Sequence, residues 1–131
     1  MKKILIITIA FFFSHIVSAQ EKTNVTDNNI YNVAGIEVKP EFPGGIDKFY
    51  TFIAENYKTP KVEKLSGKVF VTFIIEKDGS ITGIKVLRDI GYDTGKEAIR
   101  VLALSPKWMP GQQNGKTVRC TYALPINIVA R

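Results

Sequence analysis

The chain has 131 residues, of which 45% are hydrophobic and 23% charged, with a formal net charge of +6 and a single cysteine. That length accommodates one domain with a modest core. One cysteine excludes an internal disulfide, and a mild positive charge scattered along the chain, with no basic cluster among exposed aromatics, argues against nucleic acid as a partner.

Lys2 and Lys3, the apolar run from Ile4 to Phe13 and the small residues Val17-Ser18-Ala19 follow the three-part pattern of a secretory signal peptide, residues 1–19. The apolar run is short against the roughly 20 residues that cross a bilayer, and Ser14-His15 interrupts it. An uncleaved membrane anchor is the competing reading. No cysteine follows the run directly, so lipid attachment through an N-terminal cysteine has no substrate. Losing Lys2 and Lys3 with the leader lowers the net charge from +6 to +4. It also removes His15, the only histidine. Without histidine or paired cysteines, Ser-His-Asp and Cys-His catalysis and the usual zinc sites have no residues to use. Glu76, Asp78, Asp89 and Asp93 stand around turns, where carboxylates are ordinary. No enzyme, metal or cofactor is expected.

Residues 20–39 are polar, Asn- and Thr-rich and aperiodic, and read as a flexible N-terminal tail. The folded part, 40–131, opens at Pro40-Glu41-Phe42-Pro43-Gly44-Gly45, a forced turn rather than an anion site. Ile46, Phe49, Tyr50, Ile53 and Tyr57 then fall at helical spacing, and Pro60 lies beyond the helix end. Lys68 to Glu76 reads as a strand. Val69, Val71, Phe73 and Ile75 line one face while Phe70 and Ile74 stand on the other, which predicts a central position. Asp78-Gly79 signals a hairpin, leading to a strand over Ile81–Arg88 in which Gly83 marks a bulge.

Thr94-Gly95-Lys96-Glu97 has the form of a capping box, followed by the apolar stripe Ala98, Val101 and Leu102, with Ile99 at its margin, up to Pro106. Trp108 is expected to pack on the sheet. From Val118 to Ile128 every second residue is apolar: Val118, Cys120, Tyr122, Leu124, Ile126 and Ile128. Period two gives one buried face, which makes Cys120 a small buried hydrophobe. Proline lacks the ladder donor, so Pro125 marks an edge strand. The elements predict an α+β fold in two layers, a small antiparallel three-stranded sheet packed against two helices.

An edge strand leaves backbone groups unpaired, either a hazard or a docking place for a partner's strand. The candidate partner-binding residues are therefore Thr117, Val118, Arg119, Cys120, Thr121, Tyr122 and Ala123. Arg119 and Thr121 on the non-core face, with the polar loop Gln112, Gln113 and Asn114, would tune specificity. The same edge permits shielding by the tail or pairing with a second copy.

Pro40–Gly45, Gly67-Lys68-Val69-Phe70-Val71, Asp78-Gly79, Glu97-Ala98, Pro106-Lys107-Trp108-Met109-Pro110-Gly111 and Tyr122-Ala123-Leu124-Pro125-Ile126 together resemble the TonB C-terminal domain family in its Bacteroidetes-type form, over about residues 39–128. The motifs are weak one by one, and their order and spacing carry the likeness. The resemblance implies a periplasmic, non-enzymatic binding module of TonB-dependent transmembrane transport. Its partner would be an extended segment, the TonB box, of an outer-membrane receptor, which adds to the last strand, here Thr117 to Asn127. Members that transduce energy carry a serine and a histidine one helical turn apart and a Pro-rich spacer. Here Ser14 and His15 are adjacent, on different faces of a helix, and the tail has no proline. An anchored transducer engaging inner-membrane motor proteins, and a homodimerising structural domain, are the alternatives.

Overall fold

The computed structural model describes residues 27–130; the expected leader, the start of the expected tail and Arg131 lie outside the described residues. The elements run β1 (Ile30–Asn32), a 3-10 turn (Val33–Gly35), α1 (Ile46–Asn56), β2 (Ser66–Ile75), β3 (Ile81–Arg88), α2 (Thr94–Ala103), β4 (Gly111–Gln113) and β5 (Lys116–Val129). The sheet order is β1-β5-β2-β3, with β4 paired to the start of β5. β2 is central, as its two apolar faces require, and antiparallel to both neighbours.

The alternation read from β2 and β5 holds in space. Val69, Val71, Phe73 and Ile75 are buried with Leu124, Ile126 and Ile128, beneath Phe49 and Ile53 of α1 and Ala98, Val101 and Leu102 of α2. Trp108 is the hub of this core, 4% exposed. Its ring meets Phe49 at a centroid distance of 4.8 Å, Tyr122 at 5.3 Å and Phe42 at 5.6 Å, all tilted or edge-on. Such aromatic pairs add about 0.5–1.5 kcal/mol each beyond buried area. The hairpin turn is tied to this hub. Trp108 N–H donates to Gly79 O at 2.9 Å. Gly79 has φ +89°, and a Cβ there would stand 2.0 Å from the Trp108 carbonyl oxygen. Gly83 sits at φ +59° where the β2–β3 register slips, the bulge its position announced. Gly44 and Gly45, both at positive φ, close the turn into α1 through Gly45 N–H to Phe42 O at 2.7 Å.

Four expectations need correction. The sheet is five-stranded and mixed among the described residues, not three-stranded and antiparallel, because β4 forms a hairpin with β5 and β1 pairs with β5 in parallel. The expected flexible tail is structured from Ile30 on: Ile36 is buried against Val118 and Cys120, with Tyr31 and Val33 beside it. The capping box does not form. Tyr92 and Asp93 adopt left-handed φ of 56° and 59°, which makes Thr94 the first helical residue instead of its cap. The Thr94 hydroxyl donates to Gly91 O at 2.7 Å, and the Glu97 carboxylate accepts from Arg100 and from Lys58 N–H. Ile99 is 40% exposed and lies outside the buried stripe.

Candidate functional site

The direction of each peptide group along β5 decides what its rim offers. Ala130 N–H donates to Leu65 O at 2.8 Å. This continues a ladder from Ser66 opposite Val129 to Ile75 opposite Cys120, without a slip. Peptide groups alternate along an extended strand. Even-numbered residues from Cys120 to Ala130 therefore turn their N–H and C=O toward β2, and odd-numbered ones turn theirs to the opposite flank. Pro125 is odd-numbered, so its missing donor falls on that outer flank and leaves the β2 ladder whole.

The outer flank has two parts. At Arg119, Cys120 and Thr121 it carries β1, with Ile30, Tyr31 and Asn32 opposite them in parallel. From Tyr122 to Val129 no strand pairs with it among the described residues. Outward N–H groups at Ala123, Asn127 and Val129, and carbonyls at these residues and at Pro125, are left to solvent. Beside them lies an apolar groove of ≈ 460 Å³, with Tyr50, Ile53 and Tyr57 as one wall and Leu124 to Asn127 as the other. The Tyr57 hydroxyl donates to Thr94 O at 2.8 Å. Burial, then Glu97 and Asp89, push its pKa up to about 12, so this wall is uncharged at neutral pH.

The residues expected to bind a partner are thus divided. Thr117 and Val118 pair with β4 across the turn Asn114-Gly115. Arg119 does not project as a free contact. Its Nε donates to Glu76 Oε1 at 2.7 Å and its Nη2 to Glu76 Oε2 at 3.1 Å, while Nη1 reaches Asn28 O at 3.3 Å. The Arg119 guanidinium, then the Thr82 hydroxyl, hold the Glu76 carboxyl below the usual range. Cys120 is fully buried, and burial pushes its thiol up. Gly111 is what lets β4 approach: a Cβ there would lie 2.5 Å from the Cys120 sulfur. Thr121 faces β1.

The loop residues are engaged within the chain as well. Gln112 exchanges backbone bonds with Val38 at 2.9 and 3.1 Å. The Gln113 side chain accepts from Glu37 N–H at 3.0 Å, and Asn114 N–H donates to the Glu37 carboxylate at 2.6 Å. Of the expected set, Tyr122 and Ala123 alone adjoin the open rim. Sequence reasoning placed the edge on β5 through Pro125 and, by the resemblance, carried the strand to Asn127, but the partner-binding set stopped at Ala123 and did not include the α1 wall.

β3 presents the sheet's other rim, and it is a poorer template. It slips register with β2 twice and carries exposed Lys85 and Arg88. Bulges and charged side chains are how edge strands resist pairing. Among the described residues no helix is long and apolar enough to cross a membrane, and no three His, Cys, Asp or Glu side chains group as metal ligands.

Among the described residues, two helices on one face of a mixed sheet whose β5 rim is open from Tyr122 to Val129 define a small α+β domain. Residues 61–128, just over half of the chain, match the family model of the Gram-negative bacterial TonB protein C-terminal domain, and the chain belongs to that family. The family is non-catalytic and implies a role in TonB-dependent energy transduction with outer-membrane receptors, at the periplasmic side of the inner membrane. No curated protein matches the chain.

Proposed function

We propose that this domain is an exported periplasmic module that docks an extended segment of an outer-membrane transport receptor by adding it as a strand to the outer flank of β5. The observation that carries this reading is the row of unpaired outward peptide groups from Ala123 to Val129 beside the groove at Tyr50 and Tyr57. The docking lane is therefore shifted toward the C-terminus from the one expected, Thr117 to Ala123. A segment laid there bonds to main chain on one side. Its alternate side chains enter the groove, so they should be apolar and uncharged. Each net hydrogen bond contributes only about 0.5–1.5 kcal/mol, which gives a contact that forms and releases readily.

Titration of the isotope-labelled protein with synthetic peptides covering the periplasm-facing N-terminal segments of the cell's own outer-membrane receptors tests the proposal. Amide shifts should concentrate at Ala123, Asn127 and Val129 and on α1 near Tyr50 and Tyr57. Shifts confined to β3, or none, would refute it. The homodimer alternative predicts the same amides moving with protein concentration alone. N-terminal sequencing of the exported protein separates a cleaved leader, starting near Gln20, from an anchored transducer that engages a membrane motor.

A further inference from the structure

Pro125 occupies the middle of the open lane, between the outward donors of Ala123 and Asn127, and its partner across the ladder, Phe70, is itself 36% exposed. Removing the proline would restore an outward N–H without touching a bond to β2. The lane is also bounded: β1 holds Arg119 to Thr121, so a new strand has Tyr122 to Val129 and no more.

We propose that Pro125 determines specificity at this rim by disfavouring a second copy of the chain more than a foreign strand, an inference that rests on the docking reading above. Two identical rims meet antiparallel about a two-fold axis. In such a dimer each copy contributes its own proline. With Pro125 opposite Pro125, neither side has a donor and two bonds are lost at the centre. With Pro125 opposite Ala123 or Asn127, symmetry repeats the defect, and again two bonds are lost. A foreign strand with a donor at every position meets Pro125 once and loses one. Every self-pairing register that engages Pro125 therefore carries twice the deficit of hetero-pairing. Each bond corresponds to about a two- to twelvefold change in affinity. The gap thus acts as a filter on who may complete the sheet, beyond marking the strand as an edge.

The test is a four-way comparison on the protein purified as cells process it. Wild type and Pro125→Ala are each titrated with a lysine-tagged peptide copying Ala123–Val129, and with the same peptide carrying alanine in place of its proline. Wild type with the proline peptide should bind weakest. Either single replacement should tighten binding about two- to twelvefold, and the double replacement should be tightest. In sedimentation, Pro125→Ala should self-associate at concentrations where wild type is monomeric. Should Pro125→Ala unfold, Pro125→Thr supplies the same donor with a residue suited to strands. Equal affinities in all four combinations would overturn the role of Pro125 while leaving docking intact. Absence of binding in all four would overturn this inference, with docking itself decided by the receptor-peptide titration, and a wild-type dimer as tight as the variant's would likewise overturn the inference alone.

Discussion

Replacing Asn127 and Ile126 by proline, one at a time, tests the amide directions on which the site depends. The two residues are adjacent, and both are extended within β5. Asn127 N–H points to the open flank, so Asn127→Pro deletes a donor that has no partner among the described residues. Stability should change little, within about 1 kcal/mol, since the fixed φ of proline lowers unfolded-state entropy in its favour. A docked strand would lose one bond of about 0.5–1.5 kcal/mol, weakening it two- to twelvefold. Ile126 is 5% exposed and sits opposite Val69 on the β2 side. Ile126→Pro strands the Val69 carbonyl and shrinks a core side chain, together about 2–4 kcal/mol. Urea denaturation measures the stabilities, and amide-shift titration with receptor-derived peptides measures docking. If Asn127→Pro proves the destabilising one and Ile126→Pro the silent one, the amide phase is inverted and the open lane does not exist.

Thr121→Pro should loosen β1, whose parallel pairing draws on that outward amide. Hydrogen exchange at Ile30 to Val33 should quicken, with docking at Ala123 to Val129 preserved. Gly79→Ala should cost at least about 2 kcal/mol, read as a lowered urea midpoint, because φ +89° disfavours any Cβ and that Cβ meets the Trp108 carbonyl. Acid should release the Arg119–Glu76 tie. The Arg119 guanidinium, then the Thr82 hydroxyl, hold Glu76 below the ordinary glutamate value. Its contribution is therefore full above that value and disappears as pH falls through the lower folded one. Glu76→Gln should flatten this acid limb in pH-dependent denaturation and leave the neutral-to-alkaline limb unchanged.

What could be read from the sequence follows from how long each pattern runs. α1, β2, β3, α2 and β5 each span at least eight residues, enough for period 2 or 3.6 to declare itself. β1 and β4 have three residues each, below any useful window. What holds them is main-chain pairing and small contacts: Ile36 against Cys120, Glu37 against Asn114, Val38 against Gln112. Polar composition around Asn28 and Asn29 concealed these anchors. The capping box failed for a different reason, since nothing in Tyr92-Asp93 announces two consecutive left-handed residues. Position on the sheet was legible from Pro125, but the groove was not. Its walls come from α1 and β5, some 70 residues apart in the chain, and only the packed fold brings them together.

The expected docking strand and the proposed one differ because the chain already pairs its own β1 with the start of that flank of β5. β1 lies on the same flank of β5 that a partner would use, parallel to it, and ends where the 3-10 turn carries Val33 away at the level of Thr121. Continuing β1 by a few residues would have closed the rim. Stopping at Asn32 leaves the lane open, and the turn is fixed there by the Asn32 side chain accepting from Ala34 N–H at 2.8 Å. The N-terminal segment thus sets one end of the lane as firmly as Val129 sets the other. On the proposed docking, a partner would have about eight residues of strand, roughly 26 Å at the rise of an extended chain. Longer segments can engage only with what projects beyond it, so affinity cannot grow by extending the ladder. It must come from the side chains that enter the groove at Tyr50, Ile53 and Tyr57, and selectivity among receptors should track those positions rather than the length of their extended segments.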